Sequence, residues 1–285
     1  MLEMILSPRK AEREPWEMLF IGIFYATLSI LLVNWIFAGD AVLSKYSGIL
    51  VVTFTVMFSI PFMYYAIKNE EEKDIKYEGM FKIIKEHMKA LYSFLFLFLG
   101  FIIAFSFWYM VLASNMSFKA QIETYCMINR PANFNECVAD YGVKGKTTPT
   151  AFLTAKEKFF MIFANNIYVL IFTLVFSLIF GAGAIFVLAW NASVIAAAVG
   201  IFSKSNLYDL PLGIARFMIH GLPEIAAYFI AALAGGIVSI AVIKHDIRSD
   251  KFWNILQDSL NLLILAVIVL FIAGLIEVFI TPLLF

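Results

Sequence analysis

Six stretches of about twenty or more mostly apolar residues dominate this 285-residue sequence. Each is long enough to cross the ~30 Å hydrocarbon core of a bilayer as a helix. They run Glu17–Ala38, Ser47–Ile67, Leu91–Ser114, Asn165–Trp190, Pro223–Ile243 and Leu260–Leu284. A further apolar run, Asn191–Phe202, continues the fourth. It is short for an ordinary crossing and reads as a re-entrant or broken seventh segment. The expected fold is therefore all-α, a polytopic transmembrane bundle with six clear spans and a short or re-entrant seventh. Composition excludes the alternatives. Hydrophobic residues make up 62% and charged residues 15%, against roughly 25% charged in a soluble domain. The 21 basic and 21 acidic residues balance, so no global field draws in nucleic acid. The partner implied is the lipid bilayer. The first apolar run exceeds a typical signal-peptide core and lacks a cleavage pattern, so a retained anchor is expected.

Basic residues orient the spans. Arg9, Lys10 and Arg13 precede the first; Lys68, Lys73, Lys76, Lys82, Lys85 and Lys89 follow the second; Lys244, Arg248 and Lys251 precede the last. With seven crossings all twelve share one face, which the positive-inside rule makes cytoplasmic. The expectation is a multi-pass cell-membrane protein with its N-terminus inside and its C-terminus outside. In the Lys68–Lys89 loop, Met80, Phe81, Ile84 and Met88 recur at helical spacing among charges, the pattern of an amphipathic interfacial helix at about 77–89. Residues 1–114 thus form an N-terminal block of three spans with that helix. The segment 115–160 is the main extracytoplasmic loop. It holds both cysteines, Cys126 and Cys137, which in an oxidising compartment read as a disulfide. The loop is too small for a catalytic domain and offers a cap or a docking surface for a protein partner.

Residues 161–285 carry the polar signal. Ionisable groups in lipid are costly and mark functional sites. Asn165 and Asn166 open the fourth span, Asn191 starts the short segment, His220 and Glu224 flank the start of the Pro223 helix, and Glu277 lies in the last. The topology brings Asn165, Asn166, His220, Glu224 and Glu277 to the outer half of the membrane. There two carboxylates can share a proton or hold a cation beside amide oxygens. Capping competes with that reading: Glu224 after Pro223 suits a first helical turn, and the asparagines suit helix starts. Glu277 resists it, as the sole charge after Asp258. Gly181 and Gly183 mark a bend in the fourth helix. These glycines, with Ala196–Ala198, Gly200, Ala227, Ala231, Gly235 and Gly236, set small residues four apart, for tight packing within the chain or a homo-oligomer seam. No GxGxxG, P-loop, HExxH or GxSxG occurs, so neither an enzyme nor a cofactor is expected, and the metal question stays open.

The asparagine pair, Gly181 and Gly183, Asn191, His220-Gly221-Leu222-Pro223-Glu224 and Glu277 before Phe279-Ile280-Thr281-Pro282 resemble the stage II sporulation protein M family. The resemblance covers about 160–285, with two departures: Ile219 stands where the family usually has proline before the histidine, and Glu17–Ser114 is an N-terminal helical block that the spore-former version lacks. It implies a polytopic membrane protein of the kind found in bacteria and archaea. In spore formers the family implies assembly with cell-wall-degrading partners during engulfment. The expected function is a non-enzymatic membrane scaffold or assembly factor, with a channel or transporter built on Glu224 and Glu277 as the alternative.

Overall fold

The computed structural model describes residues 11, 13–37, 39–76, 80–112, 115–129, 133–142, 155–180, 184–203, 206–244 and 250–284. Seven helices among them are long and apolar enough to cross a membrane. These are α1 (Glu17–Phe37), α2 (Ser47–Lys76), α3 (Met80–Val111), α6 (Ala155–Phe180), α7 (Ala184–Phe202), α8 (Leu210–Lys244) and α9 (Asp250–Leu275). Two short helices, α4 (Lys119–Asn129) and α5 (Phe134–Gly142), lie between α3 and α6. The described residues contain no strand, as lipid demands of a chain that must satisfy every backbone group internally.

Helix α3 packs on α1 and α7, and α8 packs on α6 and α9; α7 and α3 also meet α8, joining the two groups. Lipid tails supply no hydrophobic drive between helices, so the joint depends on shape. Phe229 of α8 stacks on Phe94 of α3 at 5.2 Å and meets Phe98 edge-on at 6.3 Å. Where α1 crosses α3, Gly22 and Gly100 face each other, and a Cβ on either would strike the opposing helix's backbone carbonyl. Gly235 likewise lets α8 approach α6: a Cβ there would lie 2.9 Å from the Leu174 carbonyl oxygen. Ala196, Ala197, Ala227 and Ala231 are buried too, so much of the small-residue surface is used within the chain. Gly181 and Gly183 lie outside the described residues.

Several expected boundaries move. The fourth apolar run does not continue to Trp190: α6 ends at Phe180, and α7 is a continuous helix through Asn191. At 19 residues and 1.5 Å per residue, α7 spans about 28 Å, so the re-entrant segment is instead a full-length seventh helix. Asn191 does not interrupt it because its side-chain amide donates to the Val187 carbonyl one turn back (2.7 Å). Helix α6 starts at Ala155, so Asn165 and Asn166 sit mid-helix rather than as caps. Helix α8 starts at Leu210 with Pro223 inside it, so Glu224 is not a first-turn residue. A mid-helix proline forfeits one backbone bond, which membrane bundles tolerate because neighbouring groups re-satisfy it. The interfacial helix at 77–89 is no separate element either: α3 runs unbroken from Met80 into the third span, residues 77–79 lying outside the description.

The α4–α5 hairpin is part of the bundle. Phe118, Ile122, Cys126, Cys137 and Tyr141 join the same buried core as α3 and α7. Gln121 ties it down, donating to the Gly48 carbonyl (2.9 Å) and the Ser193 hydroxyl (3.2 Å). Cys126 and Cys137 face each other with their sulfurs at bonding distance and their Cα atoms 5.7 Å apart. Ahead of α2, the exposed Asp40 carboxylate accepts the Val42 and Leu43 amides (2.8 and 2.7 Å), starting the Leu43–Tyr46 turn. Those bonds hold its carboxyl below the usual carboxylate range.

Candidate functional site

Seven alternating crossings place the start of α6, the start of α8 and the end of α9 on one face, with the α4–α5 hairpin. Toward that face the three helices bring their polar residues together. Helix α8 offers His220, Glu224 and Tyr228 at successive four-residue intervals, one stripe of the 3.6-residue helix. Helix α9 passes into a π-helical turn, Ile276–Ile280, followed by Thr281–Leu284. Such turns occur mostly as single interruptions, frequently at functional sites. This one carries Glu277, with Thr281 just beyond it. Helix α6 contributes Asn166, which is buried.

The Glu224 and Glu277 carboxyls lie within hydrogen-bonding reach of each other. Because an ionised carboxylate can only accept, two carboxyls bond to each other when one of them holds a proton. The Asn166 amide donates to Glu224 Oε1 at 2.6 Å, and the Asn165 amide reaches Asn166 Oδ1 at 3.5 Å. One turn outward, His220 Nδ1 lies 3.2 Å from the Thr281 hydroxyl, which reaches the Ile276 carbonyl at 3.2 Å. The Thr281 hydroxyl thus bridges His220 Nδ1 and the Ile276 carbonyl. Helices α8 and α9 are therefore joined by two rungs: His220 to Thr281, and Glu224 to Glu277.

Around these rungs stand a phenol and two cations. Tyr228 is buried and within electrostatic reach of both carboxyls. Lys158, in the first turn of α6, is half-buried and bears on Glu277 and His220. The Arg216 guanidinium lies over the Phe202 ring, 4.7 Å from its centroid. Farther along α6, Thr173 and Ser177 continue the buried face that starts at Asn166, and the Ser177 hydroxyl donates to the Ala232 carbonyl of α8.

Of the residues expected from sequence, Asn165, Asn166, Glu224 and Glu277 form one connected group, and His220 sits a turn away on its own rung. Asn191 is bonded within its own helix. Sequence reasoning overlooked Tyr228, Thr281 and Lys158. Tyr228 was detectable by extending the His220–Glu224 spacing one further turn, and Lys158 lies two turns before Asn165. Thr281 stood in the sequence only as part of Phe279-Ile280-Thr281-Pro282, and its link to His220 needed the fold. Among the described residues no group of three or more His, Cys, Asp or Glu is disposed to hold a metal ion. The arrangement can bind, hold and exchange a proton.

Comparison with known proteins agrees with the earlier resemblance and lengthens it. An uncharacterized protein of the archaeon Methanocaldococcus jannaschii is 32% identical over 124 residues, covering 42% of this chain and 69% of that relative. No solved structure matches. The profile of the stage II sporulation protein M family matches residues 93–282. That range begins inside α3 rather than near residue 160, and takes in the α4–α5 hairpin and the whole polar site. The chain is accordingly a member of the stage II sporulation protein M family.

Proposed function

We propose that this protein handles protons in the membrane and that the Glu224–Glu277 pair is its working site, as a channel or transporter. The observation that carries this reading is the carboxyl–carboxyl contact between α8 and α9. A charged side chain near the bilayer centre costs roughly 2.5–3.5 kcal/mol on insertion scales, and two acids sharing a proton lower that cost while remaining able to exchange it. A proton fits this site better than a metal cation. Asn166 turns an N–H toward Glu224 rather than an oxygen, and Lys158 already stands near Glu277 as a tethered cation. Only a proton changes place, so the chain is not an enzyme. The distribution of Lys and Arg supports an N-terminus in the cytoplasm, with the site toward the outer side of the membrane and Cys126 and Cys137 as a disulfide outside.

The test is proton flux in proteoliposomes under a pH gradient, comparing the wild type with Glu224→Gln and Glu277→Gln. Flux from the wild type and its loss in both folded variants are expected; variants that conduct like the wild type overturn the proposal. Absence of flux from folded wild type also overturns it and leaves the scaffold reading. That second reading has its own support in the α4–α5 hairpin. The hairpin is fixed on the bundle yet leaves Met127 64% exposed, a rigid surface on which a protein partner can dock.

A further inference from the structure

A π turn gives up the regular i→i−4 pairing and persists only where its surroundings hold it. Here the Ile276 carbonyl accepts the Thr281 amide five residues on, and the Thr281 hydroxyl as well. The same hydroxyl is fastened to α8 by His220. The fastening helix is the one that carries Glu224, one turn further along, and the fastened segment carries Glu277. We propose that the π turn Ile276–Ile280 is a latched element that sets Glu277 against Glu224, with Thr281 and His220 as the latch and as positioning residues for the pair. The inference rests on the pair being the working site.

Relaxing the turn to regular α-helix would change the register by one residue, a rotation on the order of 100° for the residues beyond it. That motion carries Thr281 off His220. Thr281 is buried, while Leu283 and Leu284 beyond it are exposed, and the segment that turns is a single short turn. The latch thus acts on Glu277 through the turn that carries it. Held, the turn sets Glu277 against Glu224; released, the turn no longer fixes that carboxyl, which can then part from Glu224 and exchange its proton.

The experiment is infrared spectroscopy of the full chain in lipid, reading the C=O band of a protonated carboxyl. Loss of the band in Glu224→Gln and Glu277→Gln assigns it to the pair. Thr281→Val keeps the shape of the side chain but removes its donor and acceptor. It is expected to shift the band to higher frequency, as for a weakened hydrogen bond, and to speed amide exchange at 276–281. Thr281→Ser, which keeps the hydroxyl, is expected to restore both. A band and exchange rates unchanged in Thr281→Val overturn the latch and leave the proton-handling reading intact. No protonated carboxyl band in folded wild type overturns both. A shift that Thr281→Ser fails to reverse traces to packing rather than to the hydroxyl and also overturns the latch.

Discussion

If Glu224 and Glu277 share one proton, their removal must be strongly non-additive, and the size can be worked from the contacts. Truncating Glu277 to alanine leaves the Glu224 carboxyl with only the Asn166 amide. Leaving a buried polar group short of a partner costs about 1–3 kcal/mol, while hydrogen bonds between membrane helices average ~0.6 kcal/mol and reach ~1.7. Each single alanine variant should therefore lose about 2 kcal/mol. The double variant leaves no orphaned carboxyl, and its loss should stay near 2–3 kcal/mol instead of the ~4 that independent sites would sum to. The assay is reversible unfolding of the four proteins in mixed micelles by titrating in a denaturing detergent. A coupling of about 1–2 kcal/mol is expected. Losses that add to within ~0.5 kcal/mol, the behaviour of independent sites, refute the reasoning that the carboxyls hold one another.

Three further perturbations test other parts of the structure. Gly100→Ala pushes a Cβ into the Leu19 carbonyl of α1; because backbone cannot yield as a side chain does, the same titration should show a loss of about 1–3 kcal/mol. Reducing Cys126–Cys137, or replacing both with serine, should cost about 3 kcal/mol by the loop-entropy estimate for so short a loop, read as a lower midpoint in reducing conditions. Asp40, held below its ordinary titration range by the Val42 and Leu43 amides, contributes stability that is present above the unfolded carboxyl's range and lost as pH falls through the depressed value. Asp40→Asn should accordingly flatten the acid limb of the stability profile below about pH 4, and an unchanged limb counts against that cap.

Fold class and span number were nearly legible, because apolar length is read directly in lipid. Boundaries were less so, and the reason is specific. Pro223 suits a helix start, and Glu224 after it suits a first turn, so the sequence reads a helix from Pro223. The structure starts α8 at Leu210 after the Asn206 side chain has accepted the Tyr208 amide. Asn191 misled in the same manner, as an amide in an apolar run looks like a break unless its bond to Val187 is known. The carboxyl pair was anticipated from topology, since three segments ending on one face must bring their polar residues to similar depth. The π turn was not. Nothing within Ile276–Ile280 departs from an ordinary helical sequence; Pro282 just beyond withholds a backbone donor from Val278, and the clasp between α8 and α9 holds the turn.

The central claim, that Glu224 and Glu277 together bind an exchangeable proton, is tested most directly by electrometry on membranes carrying the protein on a solid support. A rapid pH step should displace charge in the wild type. Steps in sodium, potassium or calcium at constant pH should not. The proton signal should vanish when both glutamates are changed to glutamine in a protein that still folds. A signal of wild-type size in that double variant would contradict the account.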